Sequence, residues 1–231
     1  IRKLILELKV EKNIQNLCKL EAEQKKFFLK KKKIEKEFFK KNNGLVTCKK
    51  ISNITDIFLK SLFGIVIKKY SISNSEFVVC ATGGYGRGHL APYSDIDILF
   101  VMFSHTKKVK SAIENFLLTL WDMGFRVGHA TRTLKEIISS AKNNAIIQTS
   151  LLDNRRIAGN KILFLNVRKE IENFFKNNNS ENFILSKISE RKKRLLKNDY
   201  DSYLLEPNIK ETLGGLRDIN LLFWYFKIIY K

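Results

Sequence analysis

The chain has 231 residues, 44% of them hydrophobic, which is enough for one sizeable core with a helical extension. Its 43 Lys and Arg against 23 Asp and Glu give a formal charge of +20; Lys, Asn and Ile rise together, as AT-rich codons would make them, so the charge does not assign a nucleic-acid ligand and none is expected. No stretch reaches the roughly 18 apolar residues of a bilayer span, and the opening IRKLILELKV is too charged for a signal peptide, so a cytoplasmic chain without a membrane partner is expected.

Residues 1–50 read as a basic helical segment. Val10, Ile14, Leu17 and Cys18 recur at helical spacing, and Gly44 after Asn42 and Asn43 is expected to close the first helix. Within it KKFFLKKKKIEKEFFKK interleaves lysines with Phe27, Phe28, Phe38 and Phe39. This is read as a solvated helix whose aromatics pack on the body of the domain, rather than as a face for phosphate or lipid. A second helix is predicted over 51–70, with Ser52 or Thr55 at its start. The period then changes. EFVVCAT (76–82) and DIDILFVMF (95–103) are predicted strands, residues 107–125 return to helical spacing and stop at Gly124, and RVGHATRT (126–133) suits a third strand. Beyond this point to residue 198 the pattern is helical, broken near Asn143–Asn144, Gly159 and Asn177–Asn179, and Pro92 and Pro207 fall in loops. Cys18, Cys48 and Cys80 are far apart and read as thiols of a reducing compartment. A chain that starts at Ile1 and ends in the still helical LLFWYFKIIYK is expected to be a piece of something longer.

The chemistry concentrates between the first two strands. Gly88 is followed by His89, so the loop is no Walker A motif, and the spacing of Gly84, Gly86 and Gly88 is wrong for a dinucleotide fingerprint. A strand, then Gly83-Gly84, then a turn, then a strand headed by Asp95-x-Asp97 fits at every position. Residues two apart on a strand share a face, so Asp95 and Asp97 present adjacent carboxylates while Ile96 and Ile98 turn the other way. Such carboxylates repel, and a divalent cation removes the cost; oxygen-only ligands on a rigid strand suit Mg²⁺ together with substrate phosphates. Gly83, Gly84 and Gly86 allow backbone N–H groups to approach a triphosphate, Arg87 adds a guanidinium suited to phosphate, and Ser94 a hydroxyl.

This arrangement resembles the nucleotidyltransferase superfamily typified by DNA polymerase β. Four stretches in order, GGYGRGHLAPYSDIDILF, WDMGFRVGHATRTLKE, TSLLDNRRIAG and EPNIKETLGGLRDINLLFW, resemble the N-terminal part of the bifunctional uridylyltransferase/uridylyl-removing enzymes that modify the PII signal protein. The resemblance implies an α+β fold: a polymerase β-like nucleotidyltransferase domain with a short mixed sheet over 51–135, between the N-terminal helical segment and a C-terminal helical region (136–231) that covers the nucleotide. It implies transfer of UMP from UTP to a tyrosine of PII with Mg²⁺, Gly83 and Gly84 holding the triphosphate, and Asp95 and Asp97 the metal. The HD-type hydrolase and ACT domains of that family lie downstream and are not expected within these residues. Two departures stand out: His89 where the family usually has glutamate, and Glu211-Thr212-Leu213-Gly214-Gly215 where it usually reads Glu-Gly-Pro-Gly-Gly.

Other assignments stay open. His129 could meet a phosphate or be an ordinary histidine. Arg132, on the face of Gly128 and Ala130, could meet a phosphate or a carboxylate. A third metal-binding acid, if needed, could be Asp153 or Asp218. Arg217 is either held by a local carboxylate or carried over the nucleotide by a folded-back loop, with Glu206 and Glu211 beside it. Two other functions remain in view: a related transferase with another acceptor, such as the one that adenylylates glutamine synthetase, and a basic binding module without catalysis. An intact Asp95/Asp97 pair argues against the second.

Overall fold

The structure is a computed structural model that describes residues 2–142, 144–176, 180–197 and 208–230. In chain order its elements are α1 (Arg2–Lys41), α2 (Gly44–Tyr70), β1 (Phe77–Ala81), α3 (Gly83–Gly86), β2 (Ile96–Met102), α4 (Lys107–Asp122), β3 (Val127–Thr133), α5 (Leu134–Lys142), α6 (Ala145–Leu152), β4 (Arg155–Gly159), α7 (Lys161–Phe174), α8 (Ser180–Lys197) and α9 (Leu216–Ile229). They fall into two compact units. One comprises Ile1–Leu134 with Asp153–Phe164, the other Lys135–Leu152 with Leu165–Lys231.

The first unit is built on a four-stranded mixed sheet in the order β3-β2-β1-β4. β1 runs antiparallel to β2 and to β4, while β2 and β3 are parallel, with Asp97 opposite Gly128. β2 is apolar apart from Asp97 because it is central: every other residue from Ile96 to Met102 is buried. Ile96, Ile98, Phe100 and Met102 face a core shared with Phe77, Val79 and Ala81 of β1 and with the apolar stripes of α2 and α4. Those stripes follow the helical period, Ile51, Thr55, Phe58, Leu59, Leu62 and Val66 on α2 and Val109, Ala112, Ile113, Phe116, Leu117 and Leu120 on α4. Val78, Cys80, Leu99 and Val101, on the opposite side of the sheet, are buried as well.

The three predicted strands are present, and the mixed α+β architecture is the one expected. β4 was not expected. Its five residues interrupt a stretch read as helical, and it pairs with the outer edge of β1. The helix boundary near residue 44 also differs. Gly44 opens α2 rather than closing α1, because the Asn43 side chain accepts from the Val46 N–H as N-cap (3.1 Å). Ser52 and Thr55 are therefore interior and buried: the Thr55 hydroxyl donates to Ile51 O (2.9 Å), and Ser52 Oγ accepts from the Leu90 N–H (3.0 Å). α1 carries its aromatics partly as expected. Phe27 is buried with Phe58 and Phe125, ring centroids 5.6 and 5.1 Å away, whereas Phe39 is 79% exposed. The side chains of Val10, Ile14 and Leu17, and Asn143, Asn177–Asn179, Glu206 and Pro207, lie outside the described residues.

The second unit packs α6, α8 and α9 against one another. Its organising feature is an ion-pair network about Asp218, which accepts from Arg191 Nε and Nη2 (3.1 and 3.0 Å) and from Arg194 Nη2, and also from the Gly214 N–H (3.0 Å). Among the described residues no helix is long and apolar enough to cross a membrane.

Candidate nucleotidyl-transfer site

β1 ends at Ala81 and the chain turns through Gly83, whose φ of +58° an L side chain rarely adopts. Here the Thr82 N–H donates to Asp97 O at 3.0 Å, so the turn is tied to the strand that carries the aspartates. A Cβ on Gly83 would lie 3.1 Å from Asp97 Oδ2, and one on Gly128 only 2.5 Å from Asp97 Oδ1. The carboxylate of Asp97 thus rests between two glycines, one from the loop after β1 and one from β3. Asp95 stands just before β2 and, like Asp97, is exposed; strand alternation puts both on the face opposite Ile96 and Ile98. Gly83, Gly84, Asp95 and Asp97 are therefore brought to one end of the sheet, with Gly128 as a neighbour that sequence reasoning did not single out.

The other expected residues are distributed differently. Gly86 is buried, and a Cβ there would sit 1.8 Å from Asp153 O and 3.0 Å from Ala81 O, so packing alone demands glycine. Arg87 donates from Nη1 to Asp153 Oδ2, and the Asp153 side chain is only 1% exposed. Ser94 is exposed and lines a cleft of about 200 Å³ with Lys31, Tyr93 and Arg126. Arg132 lies on the Asp97 face opposite Val101, roughly 13 Å along the strand from Gly128 at the usual rise. His129 pairs in register with Ile98, so it points to the other face, where it packs edge-on against Trp121 at 5.6 Å. Arg217 belongs to the second unit, where it donates from Nε to Glu211 Oε1 (2.8 Å) and lies 3.9 Å from Glu190. The two acids weighed as a third metal ligand, Asp153 and Asp218, both hold arginines. Among the described residues no group of three or more His, Cys, Asp or Glu is placed to hold a metal ion.

Below the glycine turn lies a polar cluster that the sequence did not announce. Tyr85 is 1% exposed, and its hydroxyl donates to Asp56 Oδ1 (2.6 Å). Arg155 reaches Asp56 through Nη1, and through Nη2 at 3.0 Å. Burial, and then the Asp56 carboxylate, push the Tyr85 hydroxyl far above its usual value. For Arg155 burial works to lower the guanidinium, yet the hydrogen bond and charge of Asp56 outweigh it and the net direction is up. Both groups therefore stay protonated. Arg155, its member from β4, lies within TSLLDNRRIAG, while Asp56 and Tyr85 come from α2 and α3.

A mixed sheet with a Gly-Gly turn packed against an Asp-x-Asp strand defines a nucleotidyltransferase. The chain belongs to the nucleotidyltransferase domain family, whose model matches residues 59–201. The model of the GlnD PII-uridylyltransferase family matches residues 182–231. Among curated proteins the chain is similar to the bifunctional uridylyltransferase/uridylyl-removing enzyme of Azospirillum brasilense, 41% identical over 69% of this chain and 17% of the relative. It is likewise similar to those of Phenylobacterium zucineum, 36% identical over 81% of this chain and 21% of the relative, and Rhodopseudomonas palustris, 34% over 85% and 22%. The chain thus spans about a fifth of the length of these relatives.

Proposed function

We propose that this chain is the nucleotidyl-transferring part of a protein uridylyltransferase of the cytoplasm, moving UMP from UTP to a tyrosine of the PII signal protein with release of pyrophosphate. The observation that carries the reading is Asp97: it is the one exposed residue of an otherwise buried central strand, and glycines stand on two sides of its carboxylate where any Cβ would crowd it. An exposed carboxylate seated between two glycines at the end of a buried strand is open to a cation and to phosphates. Support for uridylyl transfer comes from the names of the relatives, and for PII as its acceptor from the family match over residues 182–231.

The residues fit a magnesium ion. Asp95 and Asp97 offer hard oxygen donors from one face, and the glycines leave room for the remaining ligands, which nucleotide phosphates and water would supply. When bound, the ion neutralises the triphosphate and the charge that develops on the departing pyrophosphate. The chain's own residues do the rest by positioning. Asp95 and Asp97 fix the metal-bound end of the nucleotide, Gly83 and Gly84 bring backbone N–H groups to the phosphates, and Ser94 adds a hydroxyl beside Asp95. Gly86 and Arg87 act from behind, by shaping the turn. Arg132 is assigned to phosphate, whereas Arg217 stays with Glu211 in the second unit. A tyrosyl oxygen then attacks the α-phosphorus in line, the new O–P bond forming as the bond to the β-phosphate oxygen breaks.

The test is a calorimetric titration of UTP and of ATP, each with Mg²⁺, into the 231-residue chain and into its Asp95→Asn/Asp97→Asn variant. Mg²⁺-dependent binding that favours UTP and collapses in the double variant is expected. A folded chain that binds neither nucleotide overturns the proposal, and one that prefers ATP moves it to a different transferase.

A further inference from the structure

α3 is one turn of helix, and three of its four residues are glycine. Such a turn has no stability of its own. Isolated helices shorter than about a dozen residues are marginal in water, and each interior glycine costs about 1 kcal/mol relative to alanine. Yet this turn has to stand still, because Gly83 at its start abuts the Asp97 carboxylate.

What holds it is a clamp drawn from two other elements. From β4, Arg155 donates through Nε to Gly86 O (3.3 Å) and through Nη2 to Tyr85 O (3.2 Å), the carbonyls at the end of the turn. From α2, Asp56 accepts two bonds from the same guanidinium and one from the Tyr85 hydroxyl. The guanidinium carbon lies 5.4 Å from the centre of the buried Tyr85 ring. If this pair served only to stabilise the fold, it would be a poor choice. The desolvation of a partly buried ion pair offsets much of its attraction, and apolar residues of the same size do as well. A guanidinium fork does what apolar residues cannot, namely direct several donors at fixed angles onto backbone carbonyls.

We propose that Asp56 and Arg155 are positioning residues of the nucleotide site: they fix the glycine turn against Asp97 and so set the distance between the phosphates and the metal-holding carboxylates. Neither touches the nucleotide. The proposal rests on the nucleotidyltransferase reading above.

The experiment compares Mg²⁺–UTP affinity by calorimetry in the native chain, Asp56→Asn, Arg155→Lys, and Phe116→Leu. Phe116 lies in the core on α4, away from the turn, and serves as a control for lost stability. All titrations are run at a temperature where circular dichroism shows each variant folded. The two clamp variants are expected to weaken UTP binding by roughly 10- to 100-fold, the range for residues that orient a ligand through a neighbour, while Phe116→Leu stays within about 2-fold because folded protein keeps its site. Should either clamp variant fail to fold, Tyr85→Phe removes a single hydrogen bond and is expected to weaken binding by about 2- to 10-fold. Native affinity in the clamp variants, or a loss in Phe116→Leu equal to theirs, overturns the clamp. No binding by the native chain overturns instead the reading on which it rests, so the two failures are told apart by the first titration.

Discussion

Gly128→Ala separates the site from the fold more cleanly than any change to an aspartate. Gly128 stands opposite Asp97 in the parallel β2–β3 ladder, and a Cβ there would lie 2.5 Å from Asp97 Oδ1, where ordinary contact begins at 3.4 Å. The carboxylate must therefore retreat by about 0.9 Å, the difference of those two distances. It can do so, because it is the far end of an exposed side chain and no backbone atom stands within 4 Å of the added carbon. The fold should hardly notice. Alanine restricts the unfolded chain and brings about 0.4–1 kcal/mol of stability where the backbone accepts it, roughly offsetting the push on Asp97. For a chain of this size that leaves the melting temperature within about 4 °C of the native value. Catalysis should notice a great deal, since a misplacement of about 1 Å costs on the order of 10²-fold in rate. The assay is Mg²⁺-dependent pyrophosphate release from UTP with PII as acceptor, beside a thermal melt. Native turnover in a folded Gly128→Ala protein would refute the placement of the metal-holding carboxylate, and so would a loss of turnover that merely follows unfolding.

Gly86→Ala should behave in the opposite way. Its Cβ would meet the backbone of Asp153 at 1.8 Å, which cannot yield, so a loss of about 3–5 kcal/mol is expected in denaturant melts. Asp153→Asn should lower the melting temperature by freeing Arg87 while leaving the Mg²⁺ concentration needed for UTP binding unchanged; Asp97→Asn should do the reverse, and a shared shift would make Asp153 a metal ligand. Among the thiols, Cys18 is exposed whereas Cys80 is buried, with burial pushing its thiol up to about 12. A thiol reagent should therefore label Cys18 in the native protein and Cys80 only after unfolding. Burial works to raise the Asp218 carboxyl, but the Arg191 hydrogen bond, the Gly214 N–H and the charges of Arg191 and Arg194 outweigh it and hold it below its usual value. That stabilisation is complete above the ordinary carboxylate value near pH 4 and is lost as pH falls through the lower folded value. Melts between pH 5 and pH 2 should therefore flatten in Asp218→Asn relative to the native chain.

Local periodicity made most of the sheet legible. β1, β2 and β3 appear where short β-branched and aromatic runs gave way to turns, and Asp97 could be placed on a face before any coordinates because strand alternation has a period of two. What failed was context. Residues 155–159 carry two arginines and only one β-branched side chain, so nothing local marks them as a strand; they become one because β1 has an edge to pair and Arg155 has Asp56 to meet. Gly44 misled for a similar reason. A glycine after Asn-Asn looks like the end of a helix, yet Asn43 caps the next one, and the side chain of an N-cap looks no different in sequence from that of a loop.

The arginines teach the same lesson about the site. By type, Arg87 and Arg217 both suit phosphate, and type is all a sequence gives. In the folded protein each has a carboxylate: Arg87 has Asp153, and Arg217 has Glu211 with Glu190 nearby. The acids that might have completed a three-carboxylate site are consumed by the same pairings, Asp153 by Arg87 and Asp218 by Arg191 and Arg194. Cations and acids that look available one by one in the sequence cancel in pairs once folded. Asp95 and Asp97 differ in kind. They are like charges set side by side by the strand itself, and repulsion between neighbours on one face is a feature that folding does not remove. That is why the shared face of Asp95 and Asp97 could be read from the sequence and the partners of Arg87 and Arg217 could not: a pair of like charges on one strand is a local fact, whereas the partner of an arginine is a tertiary one.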